Sequence, residues 1–479
     1  MGSRVHLEFL PDKPHVAVIP STGIGNITPL LEFAKHLATH HGFHVSFLYT
    51  TTDSSTAQNQ QVHSPHHPPN LHVVNLPPVD LSDIVNDQTP ILTRLCLNLE
   101  QSFHYLNTQL PQQHNKPQAI VIDMFCTQAF DAFKDLPNIP IFIYFTTSAH
   151  MLAFSLFLPQ LDSDVEGEFV DLPEPVQVPG CKPIRITDLM NQVANRKIDE
   201  YKWCLYHFGR LPMAKGIILN TWQDVEPVTF KALRDHSFYQ NIPIPPVYPI
   251  GPLIKEYEPV TETTPECLAW LDIQSSGSVL FVSFGSGGIL SVEQQTELAW
   301  GLELSGQRFM WVVRAANNSN ASATFFNVGG DVNDPTSYLP EGFLGRTRER
   351  GMVVMSWAPQ ATVLRHASTG AFLSHCGWNS TMESVANGVP MIAWPLYAEQ
   401  RMNATMLEED VGVAVKVKGE GVIGRKEIER VVRMVMEGEG GKVMKQRARE
   451  LKDSAAKALE IEGSSSMARA SLAKLLIAE

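Results

Sequence analysis

The stretch LSHCGWNSTMES, Leu373 to Ser384, crowds an imidazole, an amide, several hydroxyls and a carboxylate around one glycine turn. It reads as an apolar strand that ends in the turn and opens a helix. A helix start presents backbone N–H groups and the positive end of a dipole. It favours an anion by about 0.3–1 kcal/mol when exposed and up to ~2 kcal/mol when half-buried. His375, Asn379 and Ser380 fall on that spot. Each also has a structural reading. Ser380 followed three residues later by Glu383 fits a capping box, which satisfies helix-start amides without any ligand, and His375 fits a hydrogen-bonded structural histidine. Trp357, closing the run GMVVMSW, suits a half-buried core position as well as a platform for a flat ring.

A second turn of this kind lies near the start of the chain. VIPSTGIGNITPL, Val18 to Leu30, ends an apolar run, turns through Gly23 and Gly25 and enters a helical pattern, with Asn26 at the tip of the turn. An amide holds no proton near pH 7, so Asn26 can orient a group but cannot serve as a base. The spacing is GxGxxT, a weak match to a dinucleotide fingerprint.

The elements that would position these turns alternate between strand and helix. HVAVIP (15–20), the helical PLLEFAKHLATHH, and HVSFLYT (44–50) read as β-α-β, followed by strand-length runs at 119–125, 139–145 and 216–222. NIPIPPVYPIGPL (241–253) carries five prolines and reads as a linker. The alternation then resumes at 278–286, 308–314, 351–357, 370–377 and 389–395. The polar, aperiodic segment 315–337 reads as an exposed inserted loop. From Arg425 the pattern is helical, broken by GSSS (463–466) before a last amphipathic helix. The expected organisation is α/β: a doubly wound domain over 1–240, a Pro-rich linker over 241–254, a second doubly wound domain over 255–460, and a helix in 461–479 that packs back on the first. Ligands bind beyond the carboxyl ends of such strands, so a cleft between two such edges would hold two substrates.

Composition narrows the class. A chain of 479 residues with 44% hydrophobic and 18% charged residues builds globular cores, and its length suits two domains. The net charge of −13 argues against a nucleic-acid or membrane-surface partner. The cysteines at 96, 126, 181, 204, 267 and 376 form no CxxC pair, and no signal peptide opens the chain, which points to reduced thiols and a cytoplasmic location. The N-x-S/T triplets at Asn26, Asn317, Asn320, Asn379 and Asn403 then carry no glycan. The apolar run 149–159 is too short for a membrane span.

The 44 residues from Trp357 to Gln400 resemble the signature box of plant secondary-product (family-1) UDP-glycosyltransferases, which has the same length. The match runs through WAPQ, HCGWNS, ES, G, P and AEQ, and extends to YPIGPL, CLAWLD and SVLFVSFGS over essentially the full chain. VSFGSGG together with WPLYAEQ resembles the hydroquinone and monolignol glucosyltransferase branch. The resemblance implies a GT-B fold of two Rossmann-like domains facing a cleft, UDP-glucose as co-substrate, inversion at the anomeric carbon, no metal or other cofactor, and a small aromatic acceptor; a monomer is the default expectation, on which the sequence is silent. Carried over by position, Trp357 stacks on uracil with Ala358 and Gln360 beside it, and Glu383 takes the ribose hydroxyls. His375, Gly377, Trp378, Asn379, Ser380 and Ser286 surround the diphosphate, and Glu399 and Gln400 bind the sugar. A Gln at the last position is associated with glucose, a His with galactose. The acceptor pocket would involve Ile24, Phe125, Thr147, His150 and Tyr397.

In that family the residue after the second Gly of the first turn is the general-base His, oriented by a carboxylate that matches Asp123. Here it is Asn26. Three readings stay open: an engineered exchange that stops turnover, a natural enzyme that uses another base or an acidic phenol or amine acceptor, and a protein that binds UDP-sugar without transferring it. His150 is a candidate substitute base and equally a packed pocket histidine. The lone DxD, DSD at 162–164, reads as chance rather than as a metal-sugar motif.

Overall fold

The computed structural model describes residues 13–50, 59, 61–86, 88–109, 116–136, 138–255, 263–314 and 338–477; the segment 315–337, with Asn317 and Asn320, lies outside them. The chain divides into two compact units, Met1–Leu253 with Ala458–Glu479, and Ile254–Lys457.

The first unit is built on seven parallel strands: β1 (His15–Ile19), β2 (His44–Thr50), β3 (Leu71–Leu76), β4 (Ala119–Asp123), β5 (Ile141–Phe145), β6 (Gly216–Leu219) and β7 (Val247–Pro249). Their order is β3-β2-β1-β4-β5-β6-β7. Every residue of β1, β2, β4 and β6 is buried. This explains their near-continuous apolar runs, because a parallel sheet is covered on both faces. The helix Ile24–His40 covers one face through Leu30, Leu31, Phe33, Ala34, Leu37 and Ala38. Its start is set by Gly23, whose φ of 110° is open to glycine and strained for other residues.

The stretch read as a linker carries β7. Its prolines are tolerated because β7 lies at the sheet's edge, where fewer ladder N–H groups are needed. Beside it packs the helix Ser464–Leu475. Leu472, Ala473 and Leu476 join the same core as Tyr144 and Ile250. Arg469 fixes the contact by donating from Nε to the Ile250 carbonyl at 2.7 Å and from Nη2 to that of Pro252 at 3.1 Å.

The second unit holds six parallel strands, β8 (Val279–Ser283), β9 (Arg308–Val313), β10 (Gly351–Met355), β11 (Thr369–Ser374), β12 (Met391–Ala393) and β13 (Ala414–Lys416), in the order β10-β9-β8-β11-β12-β13. The helix Val292–Ser305 begins at Ser291, whose side chain accepts the Gln294 amide, and stops at Gly306 in the left-handed conformation. Its Leu298 and Leu302 share a core with Ile428, Val431 and Val432 of the helix Arg425–Met436.

In each unit the strand order reverses once, between β1 and β4 and between β8 and β11. Crevices at such points are where open α/β sheets bind ligands. All six cysteines are free thiols. Among the described residues no helix is long and apolar enough to cross a membrane, and no group of three or more His, Cys, Asp or Glu is placed to hold a metal ion.

Candidate functional site

In the first unit the loops after β1, β4 and β5 bring together Ser21, Asn26, Asp123 and Thr146. Asn26 is not at the tip of the turn. It is the third residue of the helix Ile24–His40, its amide N–H bonded to the Gly23 carbonyl at 3.0 Å. The helix starts earlier than the sequence suggests because Gly23 completes the turn alone. Asn26 Nδ2 donates to Ser21 Oγ at 2.8 Å, and Thr146 Oγ1 donates to Asn26 Oδ1 at 3.4 Å.

Asp123 ends β4 and is fully buried. Its Oδ1 accepts the Phe125 amide at 2.9 Å, while Oδ2 has no hydrogen bond of good geometry. Burial pushes its carboxyl up to about 6, against the pull of the Phe125 amide and the nearby Ser21 and Thr146 hydroxyls. Asn26 and Asp123 are therefore linked through Ser21. Sequence reading missed Ser21; its signal is a hydroxyl two residues past the end of β1, directly after Pro20.

The other residues expected on this side lie around the same strand ends. Ile24 and Phe125 are half-buried, and Thr147 and His150 are buried. His150 sits at the start of the helix Ala149–Asp164, capped by Ser148. Its amide and that of Ala149 donate to the buried Glu226 carboxylate at 2.7 and 3.1 Å, so the protein supplies its own anion to this helix start. Behind Phe125, His207 meets Thr127 Oγ1 at 2.7 Å and Cys96 Sγ at 3.3 Å, all buried. Burial pulls His207 down to about 3, so this array is a neutral support. The DSD carboxylate Asp162 accepts from Arg196 at 2.8 Å and from the Tyr201 hydroxyl, a structural role.

In the second unit four loops converge. Gln360, at the start of its helix, donates from Nε2 to Ser380 Oγ at 2.9 Å and to Glu383 Oε2 at 2.6 Å. The capping box is not formed: the helix Trp378–Ala386 is capped at Gly377 without a side-chain bond, and Ser380 is already its third residue. Ser380 and Glu383 bond Gln360 instead, which lies three residues along the chain from the half-buried Trp357 and two from the buried Ala358.

His375 follows β11 and is buried, with its imidazole pulled down to about 4 by burial and by Arg314, so it is neutral. It is hemmed in by two glycines: a Cβ on Gly285 would lie 2.5 Å from Cε1 and one on Gly377 2.5 Å from Nε2. The Trp378 and Asn379 positions continue this turn into the helix. Asn403 clamps it, donating to the Cys376 carbonyl at 3.1 Å and to Glu399 Oε1 at 3.3 Å. Gln400 is buried, its Oε1 accepting the Leu396 and Tyr397 amides at 2.8 and 3.1 Å. Ser286 lies half-buried in the loop after β8. Ser356, Cys376 and Ala398 all adopt positive φ, at 62°, 65° and 54°. Each adjoins a residue expected to contact the donor, whereas Glu462, at φ 70°, lies just before the last helix.

The glycine contacts give a testable expectation. Gly277 and Gly285 both have positive φ, but only Gly285 has His375 against it. Gly277→Ala costs about 1–2 kcal/mol of backbone strain. Gly285→Ala adds displacement of the imidazole, and thermal denaturation of the two variants separates the terms; equal melting temperatures would refute the close packing.

Residues 242–459 match the family model described as UDP-glucoronosyl and UDP-glucosyl transferase. The chain is 47% identical to the hydroquinone glucosyltransferase of Rauvolfia serpentina over 464 residues, covering 96% of this chain and 97% of that one. Among solved structures it resembles TcCGT1 in complex with UDP, with a TM-score of 0.89, 41% identity and coverage of 97% and 99% of the two chains. It also resembles Phytolacca americana UGT2 complexed with UDP-2fluoro-glucose and pterostilbene, with a TM-score of 0.85, 40% identity and coverage of 97% and 99%.

Proposed function

The chain belongs to the plant family-1 UDP-glycosyltransferases, with the GT-B fold, and from that membership we propose that it is an inverting UDP-glucose-dependent glucosyltransferase of a small aromatic acceptor whose general-base position is held by Asn26. The observation that carries the reading is the convergence of Trp357, Gln360, Ser380, Glu383 and His375 at the carboxyl ends of the second sheet. Trp357 stacks on the uracil, a contact of the kind worth ~1–3 kcal/mol per base. Gln360 orients Glu383, whose carboxylate accepts the ribose hydroxyls. Neutral His375, Asn379, Ser380 and Ser286, with the helix start at Gly377–Trp378, hold the diphosphate and stabilise the charge that develops on it as UDP leaves. Glu399 and Gln400 bind the glucose hydroxyls. The reaction then needs no metal.

On the first unit the acceptor is assigned to Ile24, Phe125, Thr147 and His150, a partly apolar and aromatic set that suits a flat phenol. The pterostilbene bound to the Phytolacca americana protein is an aromatic of that kind. Asn26 holds the acceptor hydroxyl but takes no proton from it. A second reading rests on Asp123, whose carboxyl is raised to about 6 and linked to Asn26 through Ser21. On acidic phenols it supports slow turnover that rises as pH passes upward through about 6, where the carboxylate forms.

Turnover of UDP-glucose, UDP-galactose and ADP-glucose against phenols, anilines and thiophenols tests the proposal. The expected order places UDP-glucose first and leaves ADP-glucose unused. Equal use of ADP-glucose would remove Trp357 and Gln360 from base recognition, and preference for UDP-galactose would refute the sugar assignment of Gln400.

A further inference from the structure

Arg314 is a cation among neutral groups in the second unit. It directly follows β9, at the carboxyl end of the sheet, and is half-buried. Among the described residues it makes no ion pair. Its hydrogen bonds go to two backbone carbonyls, from Nη1 to Ser286 and from Nε to Ser356 at 3.3 Å. One side chain thus ties the loop after β8 to the loop that carries Trp357. It also faces His375, which its charge helps keep neutral, and Tyr397, whose phenol burial pushes up to about 12. Burial pulls the guanidinium itself down to about 10, which leaves it charged at neutral pH.

A guanidinium taken out of water is costly unless an anion completes its surroundings. Backbone carbonyls supply partial charge only, and neither a neutral imidazole nor an un-ionised phenol supplies any. The groups around Arg314 are the ones assigned above to the diphosphate, Ser286 and His375. We propose that Arg314 is the resident counter-charge for the donor's diphosphate, a role that rests on the assignment of UDP-sugar to this unit. It also explains why a charged residue ends the apolar run FMWVV at 309–313.

The test compares UDP with uridine, which has the base and ribose but no phosphate. Titration calorimetry of the unsubstituted chain, Arg314→Met and Arg314→Lys reads both ligands. The expected result is a loss of about 10- to 100-fold in UDP affinity for Arg314→Met, with uridine affinity at the parent value. Arg314→Lys keeps most of the UDP-to-uridine ratio. If Arg314 only ties loops together, both ligands weaken in proportion, and that result overturns the proposal. Site-resolved phenylglyoxal labelling of the unsubstituted chain gives an answer that does not depend on a variant folding. UDP should protect Arg314 and uridine should not; equal protection by the two contradicts the role. Failure of the unsubstituted chain to bind UDP at all would instead overturn the donor assignment, and the proposal with it.

Discussion

Replacing Asn26 with His raises kcat/KM for phenol acceptors by about 10²–10⁴-fold, the usual contribution of a general base. The site is already shaped for the exchange. Asn26 occupies the first turn of a rigid helix, its amide nitrogen faces Ser21 at 2.8 Å, and the buried Asp123 stands behind with Oδ2 lacking a well-directed hydrogen bond. An imidazole there can donate one N–H toward Ser21 or Asp123 and present the other nitrogen to an acceptor hydroxyl. Once the ring gains a proton, the neighbouring carboxylate is stabilised, so Asp123 falls from its present value near 6. The KM for UDP-glucose should hardly change, since the residues proposed to bind the donor lie in the other unit. Steady-state kinetics of the two forms check this. Equal rates would mean that the base is Asp123 or that the acceptor's own acidity suffices. Whether the exchange arose by design or by descent does not alter the chemistry.

The second large effect is on stability in acid. Burial pulls His15 to about 4, His36 to about 3, His207 to about 3 and His375 to about 4, in each case as the leading cause. Each of these side chains is neutral in the folded chain and gains a proton near pH 6.5 when unfolded. The unfolded state therefore binds more protons below pH 6.5, and stability falls as pH drops from 6.5 toward the folded values. Each group contributes at most about 1.4 kcal/mol per pH unit across that window. Asp123 acts with opposite sign. Its folded value lies above the usual 3.8, so the cost of burying its charge is relieved as pH falls from about 6 to 3.8. Glu200, also raised by burial, acts with Asp123, whereas His41 and His67, also lowered by burial, act with the four histidines, so the histidines set the sign of the net slope. Urea unfolding between pH 7 and 4.5 should show midpoints that fall steeply below 6.5, with a shallower slope in His36→Gln. A flat or rising midpoint would mean that these histidines are charged in the fold.

Much of this architecture is legible in sequence where burial is two-sided. β1, β2, β4 and β8 announce themselves because every residue is buried and most are apolar, with polar residues such as His15, His44 and Asp123 confined mainly to the strand ends. β3 does not, since its central residues are half-exposed and read as a mixed run, and β7 and β13 are only three residues long. The two glycine turns were readable as strand-to-helix turns, but how their side chains pair was not. Ser380 and Glu383 have capping-box spacing, yet the helix starts at Gly377, which turns both toward Gln360, twenty or more residues away in sequence. Ser21 and Arg314 escaped because each acts through a partner from a distant loop, Asn26 or Ser286 and Ser356, and no local period marks such a pair.

The most direct measurement follows the anomeric proton by NMR while the Asn26→His form acts on UDP-glucose and hydroquinone. The account predicts that a β-glucoside forms from the α-linked donor and that UDP accumulates in step with it. Formation of an α-glucoside, release of free glucose without aryl glucoside, or an unchanged donor would contradict an inverting glucosyltransferase built on these two sheets.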